Sequence, residues 1–397
     1  MDDRLQHTAV RTLFTDEEQQ RLVALRREIH KHPELAFREE NTAARLIDEL
    51  QRLKPAWIER VAGTGVVACI KGIDSKAPSV AIRGDIDALP IEEDTPLEYT
   101  SVIPGVMHAC GHDIHSAWTI GAACLLTKQR PQGNVLIVFQ PAEEVAQGAR
   151  RIMESGLLNN VASIFGGHVD RRYEIGQVVV QEGPIAASSD EFHIELRGQG
   201  AHGARPHESA DPIVGAAALI SALQTIASRR VDPASPAVVT IGTLHAGTAP
   251  NIIPNRATLS GTLRATDERT RQQIIEELQR IAIPLAKSYN LEAYIRMEEG
   301  TPPVINNAKQ AEWAREAVTA LLGDEGVTRL ESPNLASEDF SYFLESIPGC
   351  FLRFGARAAG EFFIPVHSPK FYAAEETLFV GAAVLAETAR RASAALA

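Results

Sequence analysis

Asn134-Val135-Leu136-Ile137-Val138-Phe139 runs straight into Gln140-Pro141-Ala142-Glu143-Glu144. From Val135 to Phe139 no polar side chain interrupts the run, and a strand apolar on both faces belongs in the middle of a covered sheet. Other stretches repeat the pattern. Ser79-Val80-Ala81-Ile82-Arg83-Gly84 leads into Asp85-Ile86-Asp87-Ala88-Leu89-Pro90, and Ala162-Ser163-Ile164-Phe165-Gly166-Gly167 is expected to end at His168. A further strand is expected within Gly63–Ile70. Between them lie stretches with apolar residues at helical spacing: 16–31 (Leu22, Leu25, Ile29), 40–53 (Ala43, Leu46, Ile47, Leu50), 112–127 and 147–155. Strands alternating with helices predict an α/β fold, a mostly parallel sheet with helices on both faces. Asp85/Asp87, Glu143/Glu144 and His168 then fall at strand ends, where open α/β sheets place their sites.

The character changes near residue 186. Glu191-Phe192-His193-Ile194-Glu195-Leu196 alternates polar and apolar, the pattern of a half-exposed strand. A helix at 210–228, strands at 237–246 and 256–265, a helix at 267–288 and a strand at 291–297 complete a β-α-β-β-α-β order, that of a ferredoxin-like unit. It is expected to be an inserted α+β domain, residues 187–300, interrupting a discontinuous domain formed by 1–186 and 301–397. The tail is read as a helix (308–322), the loop Ser332–Tyr342, the strand Cys350–Gly355, a loop around His367 and a last helix (374–394). A chain of 397 residues is too long for one ordinary core, which agrees with two domains.

Hydrophobic content of 45% with 23% charged residues is that of a globular protein. No unbroken apolar run approaches the roughly 18 residues of a membrane span. The net charge of −12, with no long basic tract, speaks against nucleic acid and anionic membranes as partners. Met1-Asp2-Asp3-Arg4 does not open an apolar export signal, and Cys69, Cys110, Cys124 and Cys350 show no paired spacing, so a reducing, cytoplasmic setting is expected.

Met107-His108-Ala109-Cys110-Gly111-His112-Asp113-Ile114-His115 gathers a thiol, imidazoles and a carboxylate in one short stretch. Thiolate and neutral imidazole suit a borderline divalent metal, and Cys110 and His112 are the first ligand candidates. The alternative is a buried cysteine beside helix-capping residues. Glu143-Glu144 can turn one carboxylate to a metal and the other to a substrate as general base; the alternative is a solvated helix start favoured by the dipole. His168 and His367, in Pro365-Val366-His367-Ser368-Pro369, would not be singled out alone.

Arg83–Ile91, Met107–His115, Phe139–Glu144, Gly167-His168, His202–Ile213, Asn251–Arg264, Ser337–Phe340 and His367-Ser368-Pro369 occur in an order and spacing that resembles one family. It is the metal-dependent amidohydrolase/aminoacylase branch of the co-catalytic metallopeptidases, which includes hippurate, auxin-conjugate and N-acyl-amino acid hydrolases. The resemblance spans residues 20 to 390. It implies two divalent metal ions per chain (zinc or manganese, with cobalt or nickel as alternatives) held by Cys110, His112, Glu144, His168 and His367, with Cys110 able to bridge. It implies Glu143 as general base, Asp87 as a residue orienting a ligand, His202 as an oxyanion donor, and Asn251 and Arg264 as the grip on a substrate carboxylate. His202 could otherwise be a turn residue between glycines, and Arg264 a surface ion pair. His207 and Asp211 read as loop structure, and the Ser337–Phe340 acids are expected to shape the site or brace the His367 loop.

The activity implied is hydrolysis of N-acyl amino acids, by water activated at the metal pair, to a carboxylate and a free amino acid. A dipeptidase or carboxypeptidase and a non-catalytic metal-dependent binding protein are the other readings. The inserted domain is expected to act as a lid and to build a homodimer or tetramer through an exposed edge strand. Gly84 stands where relatives often have Ala, and Asn255 where many have Asp.

Overall fold

The computed structural model describes residues 6–331 and 334–397. The chain forms two compact units. One comprises Met1–Gly183, Ile305–Glu331 and Asp339–Ala397, the other Pro184–Val304 and Ser332–Glu338; residues 1–5 and 332–333 lie outside the described residues, as does the start of the loop expected from Ser332.

The first unit is built on an eight-stranded sheet, in the order Ile58–Val61, Gly65–Ile70, Val135–Gln140, Ser79–Asp85, Val161–Glu174, Gly349–Arg357, Val178–Val179, Val327–Thr328. Its four central strands run parallel to one another. Ile58–Val61 and Gly65–Ile70 join on one side as an antiparallel extension. Every residue of Gly65–Ile70 and Val135–Gln140 is buried, so both faces of the sheet are covered. The helices Asp16–Lys31, His112–Lys128 and Thr377–Leu396 share this core. Thr15 and Glu18 start the first of them with a reciprocal capping box.

One expected boundary differs. The strand through His168 does not end there but runs to Glu174. Its pairing with Ser79–Asp85 reaches Ile82↔Phe165, and His168 lies as far beyond Phe165 as Asp85 lies beyond Ile82. His168 is therefore level with the end of the shorter strand, while the longer one continues against Gly349–Arg357. His168 reaches a strand end because the neighbour stops, not because its own strand does.

The second unit holds a four-stranded antiparallel sheet in the order Ala237–Ala246, Arg256–Ala265, Asp190–Arg197, Glu292–Glu298. With helices Pro212–Thr225 and Glu268–Ser288 this is the ferredoxin-like β-α-β-β-α-β arrangement. Asp190–Arg197 buries alternate residues, Phe192, Ile194 and Leu196, against the helices. Among the described residues the stretch Pro212–Arg230 is long and apolar enough, by length and composition, to cross a membrane. Its Ala216, Leu219, Leu223 and Ile226 are instead buried in the core of this unit. Ala187 N–H donates to Asn334 O (3.0 Å) and Ala336 O (3.1 Å), which ties a piece of the late loop to this unit. Sequence patterning gave no sign of that tie.

The helix Thr377–Leu396 meets His112–Lys128 where Gly381 faces Trp118. A Cβ at Gly381 would lie 2.3 Å from Trp118 Cε3. Gly381→Ala gains about 1 kcal/mol of helix propensity but overpacks a full core, at a cost of about 1–3 kcal/mol. The expected net result is a lower urea midpoint. A midpoint equal to or above the parent's would show that the helices can separate at no cost.

Candidate metal centre

The helix His112–Lys128 starts at Gly111, whose φ of 85° puts it in the left-handed region. A side chain there would meet Val169 Cγ2 at 2.5 Å, so the turn needs glycine on both counts. Asp113 fixes this helix start. It forms an ion pair with Arg26, Nε to Oδ2 2.7 Å, and a hydrogen bond with His30 Nδ1 at 2.9 Å, all three fully buried. Gly84, the position that departs from the family pattern, lets the same helix approach the sheet. A Cβ there would fall 2.5 Å from Thr119 Oγ1 and 2.8 Å from His115 O.

Cys110 Sγ lies 3.1 Å from His168 Nε2. His168 Nδ1–H donates to Val169 O at 2.7 Å, which leaves Nε2 as the nitrogen with a lone pair facing Cys110. Burial, with His115 and Arg353 nearby, holds the His168 imidazole well below its usual range, so it is neutral, as a metal ligand must be. His112 Nδ1–H donates to Asp87 O at 2.9 Å and lies 3.3 Å from Asp87 Oδ1. Its Nε2 points to the acids: 3.9 Å from Glu144 Oε1 and 4.0 Å from Glu143 Oε2. Asp87 Oδ2 also accepts the Glu144 N–H at 3.0 Å, so one carboxylate sets both the ring and the chain that face each other. His367 Nε2 stands 3.3 Å from Glu144 Oε2. Its loop is held by His367 N–H to Ala109 O (2.9 Å) and, farther along, by Arg171, which donates to Phe362 O and Tyr372 O.

These residues fit a metal. His112 Nε2 and Glu144 Oε1 are buried without a hydrogen-bond partner, which a folded protein seldom tolerates. Cys110–His112–His168, Cys110–Glu144–His367 and His112–Glu143–Glu144 each bring their ligand atoms within 4.8 Å of one another. Cys110 belongs to two of these groups. Burial pushes its thiol well above the usual range, and Glu144, Glu143 and Asp85 push it further. Burial would lower the His112 imidazole, but Asp85, Asp87 and Glu144 raise it to about 10. Both shifts report the same surplus of negative charge, which a divalent cation reverses.

Asp85, His112 and His115 also lie close enough to share an ion. His115 is nonetheless engaged at both nitrogens: Nδ1 with Asp85 Oδ1 at 2.6 Å, and Nε2 accepting the Val169 N–H at 3.0 Å. His108 is buried, and burial pushes it down to about 3. His115 is thus a support, while both ring nitrogens of His108 are buried without a hydrogen-bond partner and it belongs to none of the ligand groups named above. In the second unit Glu191, His193 and Glu298 form an exposed group, but Arg296 already holds Glu298 at 2.7 Å and Ser260 holds His193 at 2.9 Å. It reads as cross-strand ion pairing.

The other residues expected at the site lie in the second unit. His202, in the short strand Ala201–His202, pairs with Ile252, and Gly203 N–H donates to Asn251 O at 2.8 Å. His202 Nδ1 accepts the Ala204 N–H at 3.0 Å, which leaves Nε2 carrying the hydrogen. His202 and Asn251 line one open cavity of about 870 Å³. Arg264 is not among its lining residues; its Nη1 donates to Ser189 Oγ and Leu263 O. Asp211 caps the helix Pro212–Thr225 through Ile213 N–H at 2.8 Å, a loop role as expected, and His207 is exposed. One acid was missed in the sequence, and another was expected only to shape the site or brace the His367 loop. Glu39, fully buried, accepts the Ala142 N–H at 3.0 Å, and Asp339 accepts from Arg83, Gln140 and Ala149. Nothing in Arg38-Glu39-Glu40 marks Glu39 out from a surface acid.

An α/β sheet whose edge gathers a soft and hard donor set defines a candidate metal protein, and the known proteins make it a metal-dependent hydrolase. The pattern of peptidase family M20/M25/M40 matches residues 81–391. The chain is 41% identical to the N-acetylcysteine deacetylase of Bacillus subtilis, over 93% of this chain and 96% of that one. It is 38% identical to thermostable carboxypeptidase 1 of Saccharolobus solfataricus, over 91% and 92%. A crystal structure of the Bacillus subtilis YXEP protein, described as a dinuclear metal binding peptidase, superposes with a TM-score of 0.85 at 37% identity, covering 96% of this chain and 99% of that one. The chain belongs to the M20 family and is one of its metal-dependent hydrolases.

Because Cys110 is common to two ligand groups, Cys110→Ala is expected to lower bound metal by half or more, measured by elemental analysis of the folded protein. Unchanged metal content would remove Cys110 from the centre.

Proposed function

We propose that the protein hydrolyses the amide bond of N-acyl amino acids, such as acetyl, benzoyl or indoleacetyl conjugates, to a carboxylate and a free amino acid. The observation that carries this reading is the placing of Glu143. It sits next to Glu144, with Oε2 toward the His112 ring and Oε1 3.4 Å from the Asp339 backbone N–H. A carboxylate beside a ligand group but not needed to complete it suits a proton carrier. The N-acetylcysteine deacetylase relative supports the substrate class.

In this reading two divalent ions, zinc or manganese with cobalt or nickel as alternatives, would be held by Cys110, His112, Glu144, His168 and His367. When bound they polarise the amide carbonyl and bring the pKa of water from 15.7 down to about 7. Glu143 takes the proton as water attacks the carbonyl carbon, and returns it to the amide nitrogen as the C–N bond breaks. His202 supplies an Nε2–H for the oxyanion. Asn251 and Arg264 bind the free carboxylate of the amino acid, Arg264 by a paired contact of the kind guanidinium makes well. The second unit serves as the lid. Its edge strand Ala237–Ala246, exposed over its last residues, pairs chains into a homodimer or tetramer. The cysteines are free and buried, consistent with a cytoplasmic protein.

A carboxypeptidase is the second reading, favoured by the name of the Saccharolobus relative. Rates on an acyl-amino acid and on the matching dipeptide, with bound metal measured on the same sample, separate the two.

Glu143→Ala is expected to keep its metal and lose turnover by on the order of 10²–10⁴-fold. Chelation should abolish parent activity, and added divalent metal should restore it. Near-normal turnover in the variant would remove Glu143 from the role of base. Arg264→Ala is expected to raise KM for substrates with a free carboxylate by roughly 10-fold or more, as loss of a charged hydrogen bond implies. The carboxylate grip fails as an idea if the parent hydrolyses methyl esters of the same substrates equally well.

A further inference from the structure

The turn that carries Glu143 and Glu144 joins the strand Val135–Gln140 to the helix Gly148–Glu154. Its backbone is unusual. Ala142 (φ 54°) and Ala146 (φ 55°) both adopt the left-handed region that L side chains rarely enter. The turn also closes on itself so tightly that a Cβ at Gly148 would lie 1.6 Å from Pro141 O. Such a conformation persists only where its surroundings impose it.

Three carboxylates do so. Glu39 Oε1 accepts the Ala142 N–H at 3.0 Å, Asp87 Oδ2 the Glu144 N–H at 3.0 Å, and Asp339 Oδ2 the Ala149 N–H at 3.1 Å. Glu143 is thus bracketed by two anchored neighbours. Asp339 has a second contact that the other two lack: its own backbone N–H points to Glu143 Oε1 at 3.4 Å. The place of that N–H is set by the Asp339 side chain. Its oxygens accept from Gln140 Nε2 at 2.7 and 2.9 Å and from Arg83 Nη2 at 3.1 Å. Arg83 in turn binds Gln140 Oε1 at 2.8 Å and pairs with Asp85. Arg83, Asp85, Gln140 and Asp339 are all fully buried, so this frame does not move with solvent.

We propose that Asp339 is a positioning residue for the general base: its buried carboxylate fixes its backbone N–H, and that N–H holds Glu143 Oε1 so that Oε2 faces the reacting centre. The proposal rests on the reading of Glu143 as the base. Asp339 touches neither substrate nor metal in this role. Its effect is on the direction of the Glu143 carboxylate, where a displacement of 1 Å is enough to slow a reaction severely.

Asp339→Asn tests it. Arg83 Nη2, Gln140 Nε2 and the Ala149 N–H all donate to the Asp339 oxygens, so an amide NH₂ in place of one oxygen must face one of these donors, and the loop has to shift. In the metal-loaded full-length protein kcat is expected to fall on the order of 10- to 100-fold, with KM and bound metal as in the parent. In a Glu143→Ala background the same change should slow residual turnover no further, because residues that act as a unit are non-additive. Should Asp339→Asn fail to fold, Ala149→Pro replaces it. That change deletes one donor to the Asp339 carboxylate in the first turn of a helix, where proline is tolerated, and it should give the same fall in kcat at unchanged KM. Parent-like kcat in the folded variant, loss of metal, or an equal further loss in the Glu143→Ala background each overturns the proposal. Normal turnover in Glu143→Ala alone overturns instead the base on which it rests.

Discussion

Asp85, Asp87, Glu143 and Glu144 meet at the ends of two adjacent parallel strands, and the rest of the centre follows from the need to offset that charge. Buried carboxylates are stable only when paired and hydrogen-bonded. Asp85 is held well below its usual range: burial opposes this, but His112, His115 and Arg83 outweigh it. Asp87 is hydrogen-bonded to a ring and a backbone amide. Glu144 Oε1 faces His112 Nε2 at 3.9 Å, too far for a hydrogen bond, and there the compensation is incomplete. That is where a cation belongs. Arrangement and affinity have one cause: the protein folds around a deficit of positive charge.

The same frame does two tasks that usually conflict. Helix His112–Lys128 must pack on the sheet for stability, and its first residue must present a nitrogen to the strand ends. Gly84 and Gly111 reconcile these demands by removing side chains where helix and sheet would otherwise collide. At Gly84 the space a methyl group would need is occupied by Thr119 Oγ1 and His115 O. The absence of a side chain at Gly84 thus lets the helix approach the sheet closely, beside the residue that pairs with Asp85.

Much of this was legible in the sequence. The apolar run before Gln140 marked a covered central strand. The alternation in Glu191–Leu196 marked an antiparallel sheet, and strands Ala237–Ala246 and Arg256–Ala265 fall where the pattern put them. Cys110, His112 and the paired glutamates were visible as chemistry out of place in ordinary loops. The supporting acids were harder to see. Glu39 and Ala142, or Gln140 and Asp339, are far apart in the chain, and an acid that will be buried looks like one that will be solvated until its partner is known. Strand length at His168 was misread for a related reason. Where a strand ends depends on its neighbours, and the partner that carries it to Glu174 is a strand from the tail of the chain.

The centre also has an inner and an outer side. Cys110, His112 and His168 are buried, while the side chain of His367 is 52% exposed, on a left-handed residue of a loop. Were an ion to rest between Glu144 and His367, the swing of one exposed ring would open it to solvent, whereas an ion among Cys110, His112 and His168 would be shut in by buried side chains. Two such positions would empty at different rates.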